Sequence, residues 1–402
     1  MSRPSNVRPI VLLSAAGFAS VATMRVADPL IPQIAQEFRI SVGDASVIAT
    51  AFALSYGLCQ LFYGVLGDRF GKYRLVVLAM LATAPMVASA GFATSLAGLG
   101  IARLAAGATA GAIVPLAMAF VGDHVPYQHR QTALARFLTG TLLGLVAGQI
   151  FGGVLGDLFG WRAVFLLLGG LFLAIGGLLL IELRSGRVPP PILSEKISPA
   201  AVIEAYGLLL RRRWARIVLA TVFVEGFLFY GAFTFVGAYL HLEFQLDFAI
   251  VGLFLATSAL GGLLYTLSVR RLVATLGERG LALTGGTVMA LAFVALSLGG
   301  LAMIAPAVVL LGLGFQMLHN TLQTNATQMA PKARGLAVTT FANALFLGQA
   351  GGVWLCGVLV DRVGFAPVFI VAGGALALLG AVFAQSIGRR QSHHIGAQEA
   401  SR

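Results

Sequence analysis

GVLGDRFG at 64–71 returns as GVLGDLFG at 153–160 and as GVLVDRVG at 357–364. The first two copies lie 89 residues apart and the last two 204. Those distances leave room for three and for six helices of membrane-crossing length, joined by short turns. A chain assembled from three-helix units, doubled and doubled again, has the plan of a membrane transporter.

Composition agrees with a chain dissolved in lipid. Charged residues make up 10% of the 402 positions and apolar ones 58%, with a mean hydropathy of +0.91; a soluble domain is about a quarter charged. Apolar runs of crossing length fall near 8–37, 45–66, 75–93, 96–121, 132–156 and 161–183, then 216–240, 248–269, 280–302, 304–329, 335–360 and 366–387. The expected fold is an all-α membrane protein with twelve transmembrane helices in two six-helix bundles, each built from two inverted three-helix repeats. The expected divisions are a first bundle at 1–185, a linker at 186–215, a second bundle at 216–388 and a tail at 389–402. The 50 glycines suit close packing of helices in lipid. Cys59 and Cys356 both fall inside apolar runs, so they form neither a disulfide framework nor a metal site. Arg3, Arg8 and the Ala-Ser-Val-Ala stretch at 19–22 give the first run some likeness to a cleaved leader. It is read as retained, because its loss would leave the first unit incomplete.

The formal net charge of +12 acquires meaning from its placement. With the N-terminus cytoplasmic, 22 of the 27 lysines and arginines face inward and only Arg39, Arg162 and Arg362 face outward. This is the asymmetry of a bilayer protein with both ends in the cytoplasm, not of a nucleic-acid binder. In the linker, Pro189–Pro191 is followed by a helix start at Ser198–Pro199 and by Tyr206, Leu208–Leu210 and Arg211–Arg213. That order predicts a short helix on the inner membrane surface. The polar tail, with His393 beside His394, reads as a mobile end without the ligands for a metal.

Gly64-x-Leu66-Gly67-Asp68-Arg69-x-Gly71-Lys72-x-Arg74 is similar to motif A of the major facilitator superfamily, and the twelve runs and their 6+6 division extend the resemblance over essentially the whole chain. Gly64 and Gly67 would allow close helix approach, Asp68 would sit at a helix N-terminus, and Arg69 would lock onto an acid, making a clasp that favours one transport state. The alternative is a tight turn with no switching role. The copies at 153–160 and 357–364 are expected at the opposite membrane face. A fourth, eroded copy is expected at Gly262–Leu272, with Arg270 and Arg271 and no aspartate. Leu99-x-x-x-Arg103-x-x-x-Gly107 resembles motif B. Gly140, Gly144, Gly148, Gln149, Gly152 and Gly153 resemble the glycine ladder of motif C, with Gln149 where proline is usual. The branch so implied is that of drug:proton antiporters.

Ionisable groups within the membrane are expensive and hence functional candidates. Arg25 and Asp28 share a helix face, and Arg103 lies at similar depth, so Asp28 is expected near Arg103; the resemblance makes Asp28 a proton site. A permanent Arg25, Asp28 and Arg103 network that only fixes packing is the alternative. Glu225, with no base nearby in sequence, is expected as an unpaired carboxyl and a second proton site. His319, Asn320 and Gln323 are expected to line a substrate cavity with aromatic walls from Phe227 and Tyr230, or else to bond helices together. No nucleotide-binding loop, catalytic triad or metal spacing is present, so no cofactor is expected and the chain does not read as an enzyme. The leading expectation is proton-coupled efflux of small amphipathic compounds by a monomer in a bacterial-type inner membrane, its partners being substrate, protons and lipid. Import or facilitated diffusion of a small polar metabolite (a sugar, amino acid or organic anion), and a non-transporting sensor, are the alternatives.

Overall fold

In a computed structural model, residues 7–191, 199–330 and 334–399 are described. Arg3, Lys196, Ser198, Lys332 and Arg402, and the side chains of His393 and His394, lie outside the description. Among the described residues every regular element is a helix: α1 Val7–Arg25, α2 Ala27–Phe38, α3 Val42–Ala45, α4 Val47–Phe70, α5 Lys72–Ala90, α6 Leu96–Ala110, α7 Ile113–His124 and α8 Tyr127–Arg184. They continue as α9 Pro199–Arg211, α10 Arg213–Phe233, α11 Val236–Phe244, α12 Phe248–Ala256, α13 Ser258–Leu298, α14 Leu301–Met329, α15 Arg334–Val363 and α16 Phe365–Glu399. In a bilayer only such internally hydrogen-bonded segments leave no backbone group unsatisfied.

Nine helical segments among the described residues are long and apolar enough to cross a membrane, or ten when α1 and α2, bent by 41° at Val26, count as one. Two of the ten, of 58 and 51 residues, are far too long for a single crossing. Each is interrupted by one glycine of left-handed conformation, Gly160 (φ 78°) and Gly277 (φ 62°). Division there would bring the candidate spans among the described residues to twelve.

The chain separates into two compact units. One comprises residues 1–208 with 236–256, the other 209–235 with 257–402. In the first, α8 packs along α1, α5 and α12, and α4 packs on α6. In the second, α13 packs on α14 and α16, and α10 on α15. The α11–α12 hairpin thus belongs to the first unit, although its sequence follows α10 of the second. Non-helical residues 234–235 and Thr257 mark its two ends.

Two local readings need correction. The tail continues α16 as helix as far as Glu399, since Arg389, Arg390 and Gln391 are good helix formers that propagate an existing helix. The fourth repeat turn is not at Gly262–Leu272, which is uninterrupted helix, but at Gly277. Of the octapeptide it keeps the third-position leucine, Leu272, and the last glycine; Gly71 (φ 91°), Gly160, Gly277 and Gly364 (φ 81°) all hold positive φ. That conformation is open to glycine and strained for other residues.

Candidate functional site

Each unit encloses ionisable side chains in its interior, where burial makes charge costly. In the first unit Arg103 is fully buried on α6. Its Nε donates to the Ile48 carbonyl at 3.0 Å and its Nη2 to the Thr23 carbonyl at 3.1 Å. The guanidinium plane lies 4.3 Å from the Phe52 ring centroid and 5.4 Å from that of Phe165. One side chain therefore ties together α1, α4, α6 and α8. Arg25 Nη1 approaches Asp28 Oδ2 at 3.7 Å, both groups buried, as the three-residue spacing requires. Asp28 and Arg103 form neither a hydrogen bond nor an ion pair; the two α-carbonyls hold Arg103 instead. The Asp28 carbonyl also backs α11, where a Cβ added at Gly237 would stand 3.0 Å from it.

The glycines of α8 explain why α1 lies so close. Cβ atoms at Gly140 and Gly148 would fall 2.5 Å from the carbonyl oxygens of Ser14 and Ala22, and one at Gly152 would fall 2.9 Å from that of Val26. Gly144 is blocked in the same way by Phe18. Gly153 meets the Phe248 carbonyl, and the buried Gln149 turns its own carbonyl toward Gly252, so the opposite side of the ladder seats α12.

At the Gly71 end of this unit Lys72 Nζ donates to Asp68 Oδ1 at 2.8 Å and to Asp123 Oδ2 at 2.5 Å, joining the turn to the end of α7. Asp123 was not singled out from the sequence; an acid in the Gly122-Asp123-His124 end of an apolar run was the available signal. Arg69 stacks over Phe70 at 5.2 Å and ion-pairs with no acid among the described residues, so the acid-locking role expected of Arg69 is filled by Lys72. Gly67 is closed off by Leu116, whereas the space beside Gly64 is open, which removes the packing reason given for that glycine. Gly71, Lys72 and exposed Arg74 help line a cavity of about 220 Å³ whose far wall is Pro189–Pro191. The ring nitrogens of His124 face the Phe120 and Pro190 carbonyls, each at 3.2 Å.

The second unit corrects the sequence reading most. Glu225 is not unpaired: its Oε2 lies 2.8 Å from Nδ1 of His319, 94 residues away. The carboxyl is fully buried, and the imidazole keeps 15% of its surface exposed. Phe315 stacks on the His319 ring at 4.9 Å and Phe341 tilts against it at 5.4 Å. Phe315 in turn packs against Phe229 at 4.4 Å and Tyr230 at 5.4 Å. The three polar residues expected to act together separate. His319 turns to Glu225, Asn320 donates to the carbonyl and side-chain oxygen of Gln316, and Gln323 is exposed. Phe227 stacks on Phe223 and packs over Gly351 rather than joining Tyr230. Asn325, buried, donates to Glu278 Oε2 at 3.2 Å. That bond joins the start of the helix after Gly277 to the end of α14, much as Lys72–Asp123 joins the helix after Gly71 to α7.

The pattern of the Major Facilitator Superfamily matches residues 13–350. The chain belongs to the major facilitator superfamily. Members of the superfamily are membrane transporters, not enzymes, and this chain is a multi-pass membrane protein. It is 25% identical over 255 residues to the inner membrane transport protein YnfM of Escherichia coli, covering 62% of this chain and 60% of the relative. It is 30% identical over 162 residues to the multidrug resistance efflux pump PmrA of Streptococcus pneumoniae, covering 39% and 40%. Each match thus spans less than two thirds of the relative. A crystal structure of a bacterial homologue of the human lysosomal transporter Spinster superposes with a TM-score of 0.73 at 19% identity, covering 96% of this chain and 97% of that one. At such identity the likeness establishes the shared superfamily fold.

Within the superfamily fold the ladder resembling motif C is not peculiar to the first unit. Gly348 and Gly352 on α15 meet the carbonyls of Phe223 and Phe227 on α10, as Gly144 and Gly148 meet those of Phe18 and Ala22 on α1. Gly312 against Ser258 likewise repeats Gly107 against Phe52. The sequence reading noticed the ladder only where its glycines were dense.

Proposed function

We propose that the chain is a proton-coupled exporter of small amphipathic compounds, working as a monomer by alternating access in a bacterial-type inner membrane, with both termini cytoplasmic. The observation that carries this reading is that each unit buries a carboxyl group beside a basic partner well inside its helices, Asp28 with Arg25 and Glu225 with His319, whereas the other buried carboxyl of the first unit, Glu182 in the last turn of α8, pairs with Arg8 and Arg187. A charge at mid-bilayer costs about 3 kcal/mol on insertion scales, so a carboxyl retained there has a use. Exchanging protons is the use that a carboxyl beside a nitrogen base serves best. The aromatic side chains around His319 supply apolar surface, and the neighbouring amides Gln316 and Asn320 supply hydrogen bonds, a combination suited to a compound with both characters. The name of PmrA supports the outward direction.

Reconstituted vesicles test the proposal. A pH gradient imposed across the membrane should drive uphill movement of a lipophilic dye, and an ionophore that collapses the gradient should abolish it. Flux of every compound tried proceeding at the same rate with and without the gradient would refute proton coupling. Import of a polar metabolite would instead show as accumulation on the opposite side.

A further inference from the structure

Glu225 has no surface of its own, and His319 is its only hydrogen-bonding or ion-pairing partner among the described residues. Its second oxygen, Oε1, is also buried and meets no donor. Any proton that reaches or leaves this carboxyl therefore has one nitrogen-bearing neighbour to pass through, and that neighbour is partly exposed. We propose that His319 is the proton relay of Glu225: an imidazole that carries protons between water at its own exposed edge and a carboxyl that water does not reach. The inference rests on the reading of Glu225 as a titrating group and deepens it, by assigning the route.

The step balances with no co-reactant but water. With Glu225 ionised, His319 is neutral and its Nδ1–H donates to Oε2, leaving a lone pair on Nε2. Nε2 takes a proton from water at the exposed edge of the ring, giving the imidazolium. The Nδ1 proton then moves to Oε2, leaving a neutral carboxylic acid and a neutral imidazole protonated at Nε2. One proton has entered, the imidazole has changed tautomer, and reversal releases the proton by the same route. The rings of Phe315 and Phe341 against the imidazole oppose its rotation and keep Nδ1 aimed at the carboxyl. No competing group intervenes: the other charged residues of α10, α14 and α15 are Arg213, Arg216, Arg334, Asp361 and Arg362, all in the end turns of their helices. Tyr230 and Cys356 are the further titratable side chains between those ends: the Tyr230 ring packs on Phe229 and Phe315, and the Cys356 sulfur packs beside Gly231.

Infrared spectroscopy of the purified full-length protein after a pH jump tests the relay without reference to transport. The carboxyl band lost in Glu225→Gln identifies the group. In His319→Ala the appearance of that band should slow by about 100-fold, the scale of a lost general acid–base partner. Imidazole added to the buffer should restore it by occupying the vacated space, a response that a purely structural role for His319 would not give. In His319→Gln, which fills the space and cannot relay, the band should be slow and imidazole should not help; this variant serves if the alanine one does not fold. A band that rises at the wild-type rate in either variant without imidazole overturns the relay, as does a wild-type band that never responds to pH. Should the relay hold while vesicles show no proton-driven flux, only the coupling proposed above fails.

Discussion

At the scale of single residues, Arg103 shows how one buried cation is made tolerable. Two carbonyl acceptors and two aromatic faces replace the water it has lost. Lysine offers a point charge without a planar fork, so Arg103→Lys should lose one of the two carbonyl bonds and the ring contacts. The expected cost is about 1–3 kcal/mol, read as a lower thermal midpoint of the detergent-solubilised protein. Glu225→Gln should behave differently. The amide still bonds to His319 and no longer exchanges a proton, so folding should persist while gradient-driven flux is lost and substrate counterflow continues; loss of counterflow as well would assign Glu225 to substrate binding. Helical spacing alone made the Arg25–Asp28 contact legible. The Glu225–His319 pair was not, because 94 residues of chain separate its members and nothing local to Glu225 announces a base.

Among elements, helix pairs are set by carbonyl oxygens pressed into glycine. A side chain at Gly348 or Gly352 would overlap the Phe223 or Phe227 carbonyl, and backbone yields less readily than a flexible side chain. Gly348→Val should force α10 and α15 apart and lower stability by about 1–3 kcal/mol, seen as reduced monodispersity and an earlier melt. The same change at Gly64, where nothing lies within 4 Å, should be nearly silent; equal damage at both sites would refute the packing account. The repeat turns were legible as far as their letters survive. At the fourth only a leucine and the closing glycine survive, so the expectation fell on 262–272, where a glycine precedes Arg270 and Arg271, and not on Gly277, which only the φ angle marks.

In the whole molecule, the two units keep one scaffold and diverge in the chemistry placed on it. The glycine contacts superimpose in kind, yet four residues before Gly107 stands Arg103, and four before Gly312 stands Val308, an apolar core residue. Asp28 is tied to an arginine and Glu225 to a histidine, the side-chain type suited to passing protons. Replacing both carboxyls, Asp28→Asn with Glu225→Gln, should leave a protein that equilibrates substrate and never concentrates it, as measured by vesicle accumulation at steady state. Uphill accumulation by the double variant would remove both from coupling. The twofold plan could be read from spacing; which acid meets which base could not, since that depends on helix rotation, and composition does not record it.

Gly160 carries a consequence for how the protein is made. Between Tyr127 and Arg184 the emerging chain presents 58 residues with no extended polar loop, divided by that one left-handed turn and the Trp161-Arg162 pair after it. Two crossings so closely joined leave the insertion machinery no interval in which to seat the first before the second arrives. Entry into the bilayer as one hairpin, turned at its glycine, is the expected outcome. A residue there that resists positive φ would act during synthesis, delivering one long helix where two opposed ones are needed, before any question of transport arises.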